Sequence, residues 1–127
     1  MIADKTLNVL HFEDEKTNQM IVRHKLKNKF GATTQTESTL QNLDIYFKTH
    51  YIDQFDLVIC DWNFPIFNIE LKLPTLAKSG KPILFYSCID ECEWLERVKK
   101  VLGKIPDNFT FNRKACDDII STIRNIL

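Results

Sequence analysis

Three acids and a serine stand directly after short apolar runs in this sequence, where buried strands are expected to end. Glu13 and Asp14 follow the first run, Asp61 follows the third and Ser87 follows the fourth. Carboxylates that lie close together repel one another, so either a cation neutralises them or their pKa values rise. Carboxylate oxygens without histidine or cysteine suit Mg²⁺. A metal beside a carboxylate can bring a phosphoryl donor in line for attack by that carboxylate, so the pattern favours phosphoryl transfer.

Alternating strand and helix patterns position these residues. Apolar or β-branched runs predict strands over 7–12, 32–36, 57–60, 83–86 and 109–111. Helical spacing is found over 16–29, after a cap at Ser38 or Thr39, over 66–78 with an interruption at Pro74, after a cap at Asp90 and after a cap at Asp117. This alternation predicts an α/β domain, a doubly wound five-stranded parallel sheet with helices on both faces. Right-handed crossovers then bring the carboxyl ends of all the strands, and with them the acids and the serine, to one edge.

The composition argues against several classes of protein. The chain has 127 residues, which suits a single domain over 1–127, and it carries 17 basic and 17 acidic residues, so its charge does not favour a nucleic-acid partner. No apolar run approaches the ~20 residues of a membrane span, and the N-terminus lacks the apolar core of a signal peptide. The four cysteines lack the paired spacing of zinc or redox motifs. We therefore expect a cytoplasmic protein that contacts neither nucleic acid nor a membrane directly.

Three stretches of the chain resemble motifs of one known family. The segment 9–15, Val-Leu-His-Phe-Glu-Asp-Glu, followed by a helix, is similar to an acidic turn; 61–65, Asp-Trp-Asn-Phe-Pro, is similar to a phosphoacceptor loop; and 82–87 is similar to a fourth strand that ends in Ser or Thr. These are motifs of the response-regulator receiver domains of two-component signalling, especially the chemotaxis response regulators, and 13–20 also resembles the receiver modules of hybrid histidine kinases. The resemblance implies a flavodoxin-like fold with strand order 2-1-3-4-5.

The same resemblance implies roles for individual residues. Asp61 would accept a phosphoryl group from a histidine kinase or a histidine phosphotransfer protein. Asp14 and Asp61 would bind Mg²⁺ together with the backbone carbonyl of Asn63, and Glu13 would act directly or through water. Ser87 would hydrogen-bond the phosphoryl group, and an aromatic residue of the fifth strand would report the switch. A downstream protein would bind the face formed by the fourth helix, the fifth strand and the last helix.

The sequence departs from the family pattern at two places. The loop after Pro65 reads Ile-Phe-Asn over 66–68 in place of Met-Asp-Gly, and the Lys-Pro pair expected after the fifth strand is missing. Two registers compete for the lysine position. The spacing of the last helix places Asn112 there, with Phe109 as the switch aromatic, whereas charge favours Lys114, with Phe111 as the aromatic. We expect Asn112 to end the strand in the site and Lys114 to lie on the connecting loop, still able to approach Asp61.

Three functions remain open at this level. The first is a phosphorylation-dependent signalling switch, with no catalysis beyond its own phosphorylation on Asp61 and later dephosphorylation. The second is a pseudo-receiver that keeps the fold and binds a partner without phosphotransfer. The third is a small Mg²⁺-dependent phosphohydrolase, which the lack of a second general acid near Asp61 makes less favoured. Binding of Mg²⁺ helps to separate the second function from the others, and turnover of an added phosphomonoester identifies the third.

Overall fold

Five parallel strands form one sheet in the computed structural model, which describes residues 6–114 and 118–127. The strands are β1 (Asn8–Phe12), β2 (Thr33–Glu37), β3 (Leu57–Cys60), β4 (Ile83–Ser87) and β5 (Phe109–Arg113). They lie in the order β2-β1-β3-β4-β5, so the predicted topology is confirmed. The central strands β3 and β4 are buried along their whole length, whereas the threonine-rich β2 is half-buried at one edge. Apolar runs therefore mark the centre of the sheet and mixed runs its rim, as parallel sheets require.

Helices cover both faces of the sheet. They are α1 (Lys16–Phe30), α2 (Leu43–Lys48), α3 (Leu73–Lys78), α4 (Glu91–Leu102) and α5 (Ile119–Ile126), with 3₁₀ helices at Tyr51–Gln54 and Ile69–Lys72. Residues of α1 and α5 pack on one face in a core that includes Val9, Val22, Leu26, Ile59, Leu84 and Ile123. Residues of α2, α3 and α4 pack on the other face in a larger core that includes Leu10, Phe12, Leu43, Leu76, Phe85 and Trp94. None of the described helices combines the length and the apolar character that crossing a membrane would require.

The predicted start of α2 is wrong. Neither Ser38 nor Thr39 caps this helix, because the Thr39 hydroxyl accepts the backbone N–H of Gln41 and so forms a turn ahead of the helix. Leu40 lies in that turn and is fully buried, and the helix begins only at Leu43. The need to bury one leucine therefore overrides the capping pattern.

Other helix ends differ from the sequence pattern in smaller ways. Pro74 lies in the first turn of α3, where its missing N–H costs nothing, so the predicted break is the boundary between the 3₁₀ helix and α3. Asp90 precedes α4 at the N-cap position, but its carboxylate pairs with Arg113 at 3.1 Å and makes no capping hydrogen bond. Gly31 and Gly103 end α1 and α4 in the left-handed conformation, as predicted. The predicted cap at Asp117 lies outside the described residues.

Candidate functional site

A cleft of about 360 Å³ opens at the carboxyl edge of the sheet. Its position follows from the register, because Phe12 of β1 pairs with Cys60 of β3 and the next residues on these strands are Glu13 and Asp61. Their backbones remain hydrogen-bonded to neighbouring strands: the Asp61 N–H donates to the Phe12 carbonyl at 3.0 Å, and the Glu13 N–H donates to the Glu37 carbonyl at 2.9 Å. The described residues lining the cleft are Asp14, Glu15, Asn18, Asp61, Asn63, Phe64, Pro65, Cys88 and Lys114.

The three predicted carboxylates meet at this cleft. One oxygen atom from each of Glu13, Asp14 and Asp61 lies within 4.8 Å of the others. Glu13 is 0% exposed and Asp61 is 7% exposed, whereas Asp14 is half-buried. Two of the three negative charges are therefore shielded from water, which makes their mutual repulsion costly unless a cation lies nearby.

Lys114 supplies a cation. Its Nζ lies 2.6 Å from Glu13 Oε1 and 3.1 Å from Asp61 Oδ2. Burial raises the pKa of Glu13 to about 7, and the hydrogen bond from Lys114 opposes that rise. Burial by itself lowers the pKa of Lys114, but the two carboxylates together outweigh burial, and the net effect raises this pKa. The ammonium therefore stays charged and neutralises the buried end of the cluster.

Backbone groups hold the carboxylates in place. The Trp62 N–H donates to Asp61 Oδ1 at 2.7 Å, and the Glu15 N–H donates to Glu13 Oε2 at 3.2 Å. Each carboxylate thus uses one oxygen for a backbone donor and the other for Lys114. The orientation of both acids is set before any ligand arrives, as expected of a preorganised site.

The expectation that Asn112 ends the fifth strand in the site is wrong. Strand β5 continues through Asn112 to Arg113, which pairs with Ser87 of β4. The Asn112 side-chain amide donates to Thr122 Oγ1 of α5 at 2.8 Å. Lys114 follows the strand directly and reaches the carboxylates. The spacing of the last helix favoured Asn112, but that spacing does not fix where the strand ends, and the hydrogen-bonded pairing with β4 continues two residues beyond the apolar run that ends at Phe111.

The two candidate aromatics of β5 have different surroundings. Phe109 is buried with its ring centroid 4.9 Å from that of Phe85. Phe111 is half-buried, and its centroid lies 5.1 Å from that of Trp94 on α4. Phe111 stands three residues before Lys114, as in the register that places Lys114 in the site.

Ser87 and Asn63 lie at neighbouring positions of the same edge. Ser87 is fully buried at the end of β4, and its hydroxyl accepts the Ile89 N–H at a long 3.5 Å. Asn63 lines the cleft on the loop after β3, and its backbone forms an isolated antiparallel bridge with Asn68. That bridge closes the part of the loop that departs from the family pattern.

Cys88 and Asn18 also line the cleft, although neither was predicted to be a site residue. Cys88 comes directly after Ser87, and Asn18 lies in the first turn of α1. Cys88 stands two residues beyond the predicted end of the fourth strand, so its place at this edge could be foreseen, whereas Asn18 lies six residues beyond the first strand and no sequence pattern singled it out.

The donors of the cluster fit a hard divalent cation. Glu13, Asp14 and Asp61 offer carboxylate oxygens, the group contains no histidine or cysteine, and Asn63 lines the same cleft. This donor set suits Mg²⁺ better than zinc or copper. Lys114 competes for two of the same oxygen atoms, so a metal must share them with the ammonium or displace it.

No model of a known protein family and no curated protein matches this sequence. Solved structures do match. The chemotaxis response regulator CheY4 of Vibrio cholerae is similar with a TM-score of 0.73 at 18% identity, over 97% of this chain and 100% of that one. A response regulator receiver protein from Pseudomonas putida has a TM-score of 0.71 at 17% identity over 97% and 99%. The receiver domain of the histidine kinase CKI1 from Arabidopsis thaliana has a TM-score of 0.70 at 18% identity over 94% and 89%. The chain therefore has the fold of response-regulator receiver domains.

Proposed function

We propose that this domain is a phosphorylation-dependent signalling switch that accepts a phosphoryl group on Asp61 from a histidine kinase or a histidine phosphotransfer protein. The observation that carries this proposal is the contact of Lys114 Nζ with both Glu13 Oε1 and Asp61 Oδ2, at 2.6 and 3.1 Å, inside a cleft open to solvent. A nucleophilic carboxylate beside a fixed ammonium is the arrangement that transfer of a negatively charged phosphoryl group needs.

The residues have distinct roles in this reaction. A carboxylate oxygen of Asp61 attacks phosphorus, the phosphorus–nitrogen bond of the partner's phosphohistidine breaks, and the imidazole nitrogen keeps the electron pair and takes a proton from water. Lys114 pairs with a phosphoryl oxygen, which it can do by leaving Glu13. Asp14, Asp61 and the Asn63 carbonyl would hold Mg²⁺, with Glu13 acting directly or through water, and the bound ion would neutralise part of the charge on the phosphoryl group.

Phosphorylation would reach the surface through β4 and β5. Ser87 would donate its hydroxyl proton to a phosphoryl oxygen, and its long contact with the Ile89 N–H does not prevent this, because in that contact the hydroxyl oxygen is the acceptor. Phe111 would follow inward from its contact with Trp94. The face formed by α4, β5 and α5 would change, and a downstream protein would bind there. Amide exchange should therefore differ between the two states around 87–92 and 109–111, and identical exchange would contradict this route.

A pseudo-receiver is the second candidate, and the same lysine favours it. Lys114 already neutralises Glu13 and Asp61, so the cluster is stable without a metal. The loop after β3 is closed by the bridge between Asn63 and Asn68 in the region that departs from the family pattern. A domain with these features can present one fixed surface to a partner.

Intact-mass measurement after incubation with acetyl phosphate, with and without Mg²⁺, tests the proposal. We expect the wild-type protein to gain one phosphoryl group only with Mg²⁺, and Asp61→Asn to gain none while keeping the circular dichroism spectrum of the fold. A wild-type protein that binds no Mg²⁺ and gains no mass would support the pseudo-receiver. Continuous release of phosphate from p-nitrophenyl phosphate would instead identify a phosphohydrolase.

A further inference from the structure

A second cavity, of about 560 Å³, lies between α2, the 3₁₀ helix that follows it and α3. It is at the amino edge of the sheet, because the chain passes from this 3₁₀ helix into β3 and from α3 into β4. Lys81 joins these two connections, since its Nζ donates to the Asp53 and Phe55 carbonyls at 3.3 and 2.8 Å. No described residue lines both this amino-edge cavity and the acidic cleft. Its volume is that of a small-molecule site.

Two apolar side chains form part of the wall of the amino-edge cavity. Ile52 is 4% exposed and belongs to the larger core, and the half-buried Phe47 packs against the same core. The fold therefore holds both side chains at the cavity. A hydrocarbon group that leaves water for this wall gains free energy through the hydrophobic effect.

The lysines of the amino-edge cavity have no counterion. Lys48 of α2 and Lys78 of α3 line it, and neither has an ion-pair partner in the described part of the chain. One of the lining acids, Asp44, is already paired with Lys72 Nζ at 2.5 Å. When the other lining acid, Asp53, is included, three lysines face two aspartates, which leaves one positive charge. An anion with a single charge suits this balance, whereas a polyanion would also be repelled by the aspartates.

His50 carries a conformational cost at the same cavity. Its φ is 64°, and no other described residue except glycine has a positive φ. Gly31 and Gly103 adopt the left-handed conformation after α1 and α4, where glycine avoids that cost. The His50 side chain lines the cavity, and its Nδ1 lies 3.4 Å from Asp53 Oδ2. Histidine therefore gives this carboxylate a partner, which glycine could not do, and so reduces its repulsion of an anion.

We propose that the amino-edge cavity binds a small monocarboxylate with an apolar body, such as a medium-chain fatty acid. The carboxylate pairs with Lys48 and Lys78, one from each helix, and the hydrocarbon lies against Phe47 and Ile52. The charge favours an anion over a cation or a neutral molecule, and the apolar wall favours an anion with a tail over an inorganic one. Binding needs no phosphoryl transfer at Asp61, so this proposal and the proposed function stand or fall separately.

Titration of the full chain with sodium octanoate, followed by amide chemical shifts, tests the proposal. Octanol has the same tail without the charge, octylammonium has the opposite charge, and acetate and inorganic phosphate are anions without a tail. We expect octanoate to shift amides of α2, the 3₁₀ helix and α3, with a dissociation constant of about 1 mM, which suits a ligand of about ten non-hydrogen atoms. Octanol should bind about fivefold more weakly because it makes no ion pair, and the other three compounds should not saturate the shifts.

Three variants locate the site. Lys48→Met combined with Lys78→Met removes both charges and keeps two unbranched side chains. Lys99→Met combined with Lys100→Met makes the same change at exposed positions of α4 and is the matched control. Thr75→Phe places a ring in the cavity without changing its charge. Circular dichroism checks each fold, and Thr75→Leu replaces Thr75→Phe if that variant does not fold.

The variants should separate charge from space. The variant without Lys48 and Lys78 should bind octanoate about fivefold more weakly and octanol as wild type does, because only ion pairs are lost. The control variant should bind octanoate within about twofold of wild type, since its changes lie on another surface. Thr75→Phe should weaken the binding of both compounds, because the ring occupies the space of the tail. His50→Gly should weaken octanoate binding about twofold, because Asp53 loses its partner, even though glycine suits the backbone better.

Several results would overturn the proposal. They are the absence of saturation at about ten times the expected dissociation constant of octanoate, shifts at the acidic cleft instead of the amino-edge cavity, and octanol or octylammonium binding as tightly as octanoate. Equal octanoate affinity in wild type and in the variant without Lys48 and Lys78 would overturn it too, as would equal weakening in the control variant. Tighter binding of inorganic phosphate than of octanoate would overturn it by assigning the cavity to phosphate.

Discussion

Replacing the buried His11 with leucine should make the stability of this protein less sensitive to acid. His11 lies in β1 and is 0% exposed, and neither of its ring nitrogens has a hydrogen-bond partner among the described residues. Burial, and to a smaller extent nearby Lys114, lowers the pKa of His11 from 6.5 to about 3, although Asp61 opposes the change. The folded protein therefore keeps this imidazole neutral over a pH range in which the unfolded chain protonates it.

The sign and size of the effect follow from linkage. Between pH 6.5 and about 3 the unfolded state holds one more proton at this position than the folded state, so the contribution of His11 to stability falls as the pH falls. Each pH unit below 6.5 lowers the contribution of His11 to the free energy of unfolding by about 1.4 kcal/mol, which gives about 2 kcal/mol at pH 5 and about 4 kcal/mol at pH 3, where the folded state also begins to bind the proton. Glu13 acts in the opposite direction, because its raised pKa of about 7 lets the folded state hold the extra proton from pH 7 down to 4.5. In the wild-type protein the two effects oppose each other, so its free energy of unfolding can change little between pH 6.5 and 4.5.

The difference between wild type and His11→Leu isolates the histidine, since both proteins contain Glu13. We expect urea unfolding to show that, between pH 7 and pH 5, the free energy of unfolding of the variant rises by about 2 kcal/mol relative to that of wild type. At pH 7 it should already be as stable as wild type or more stable, because two unpartnered nitrogens no longer lose their hydration. His24→Leu, at an exposed position of α1, is the matched control and should show no such change. If the free energies of unfolding of His11→Leu and wild type differ by the same amount at pH 7 and at pH 5, the reasoning is refuted.

Three further predictions concern the cleft and one turn. Mg²⁺ should bind at millimolar concentrations and change the fluorescence of Trp62, which is 4% exposed and hydrogen-bonded to Asp61; a flat titration of folded protein would count against the site. Lys114→Ala should tighten Mg²⁺ binding several-fold, because it removes the competing ammonium. Without metal, the same substitution should lower the free energy of unfolding by about 3 kcal/mol, because a buried carboxylate loses its partner. Unchanged values in the fluorescence titration and in urea unfolding would show that the contact is unimportant. His50→Gly should raise the free energy of unfolding by about 0.5–1 kcal/mol because φ at His50 is 64°; a loss of stability in urea would contradict this.

The sequence alone determined the sheet and the edge that carries the acids. Strands β3 and β4 are apolar runs with β-branched or aromatic residues. Such runs can be predicted from the sequence because every residue of a central parallel strand is buried. The end of α1 at Gly31 could also be predicted from the sequence, since glycine adopts the left-handed conformation at a helix end without the steric cost that other residues have. These features depend on short stretches of chain. Because the acids directly follow the strands, predicting the strands also predicted the edge of the sheet at which the acids lie.

Only the tertiary structure decided which side chains meet at that edge. Lys114 contacts Glu13 across 101 positions of sequence and Asp61 across 53, and no local pattern distinguishes it from Asn112 two residues earlier. The choice depends on how far β5 pairs with β4, which is a property of two strands together. The complete burial of His11 in β1 is decided in the same way. A side chain's solvent contact and its partners are set by elements far apart in the chain, because packing, rather than local spacing, determines what lies beside it.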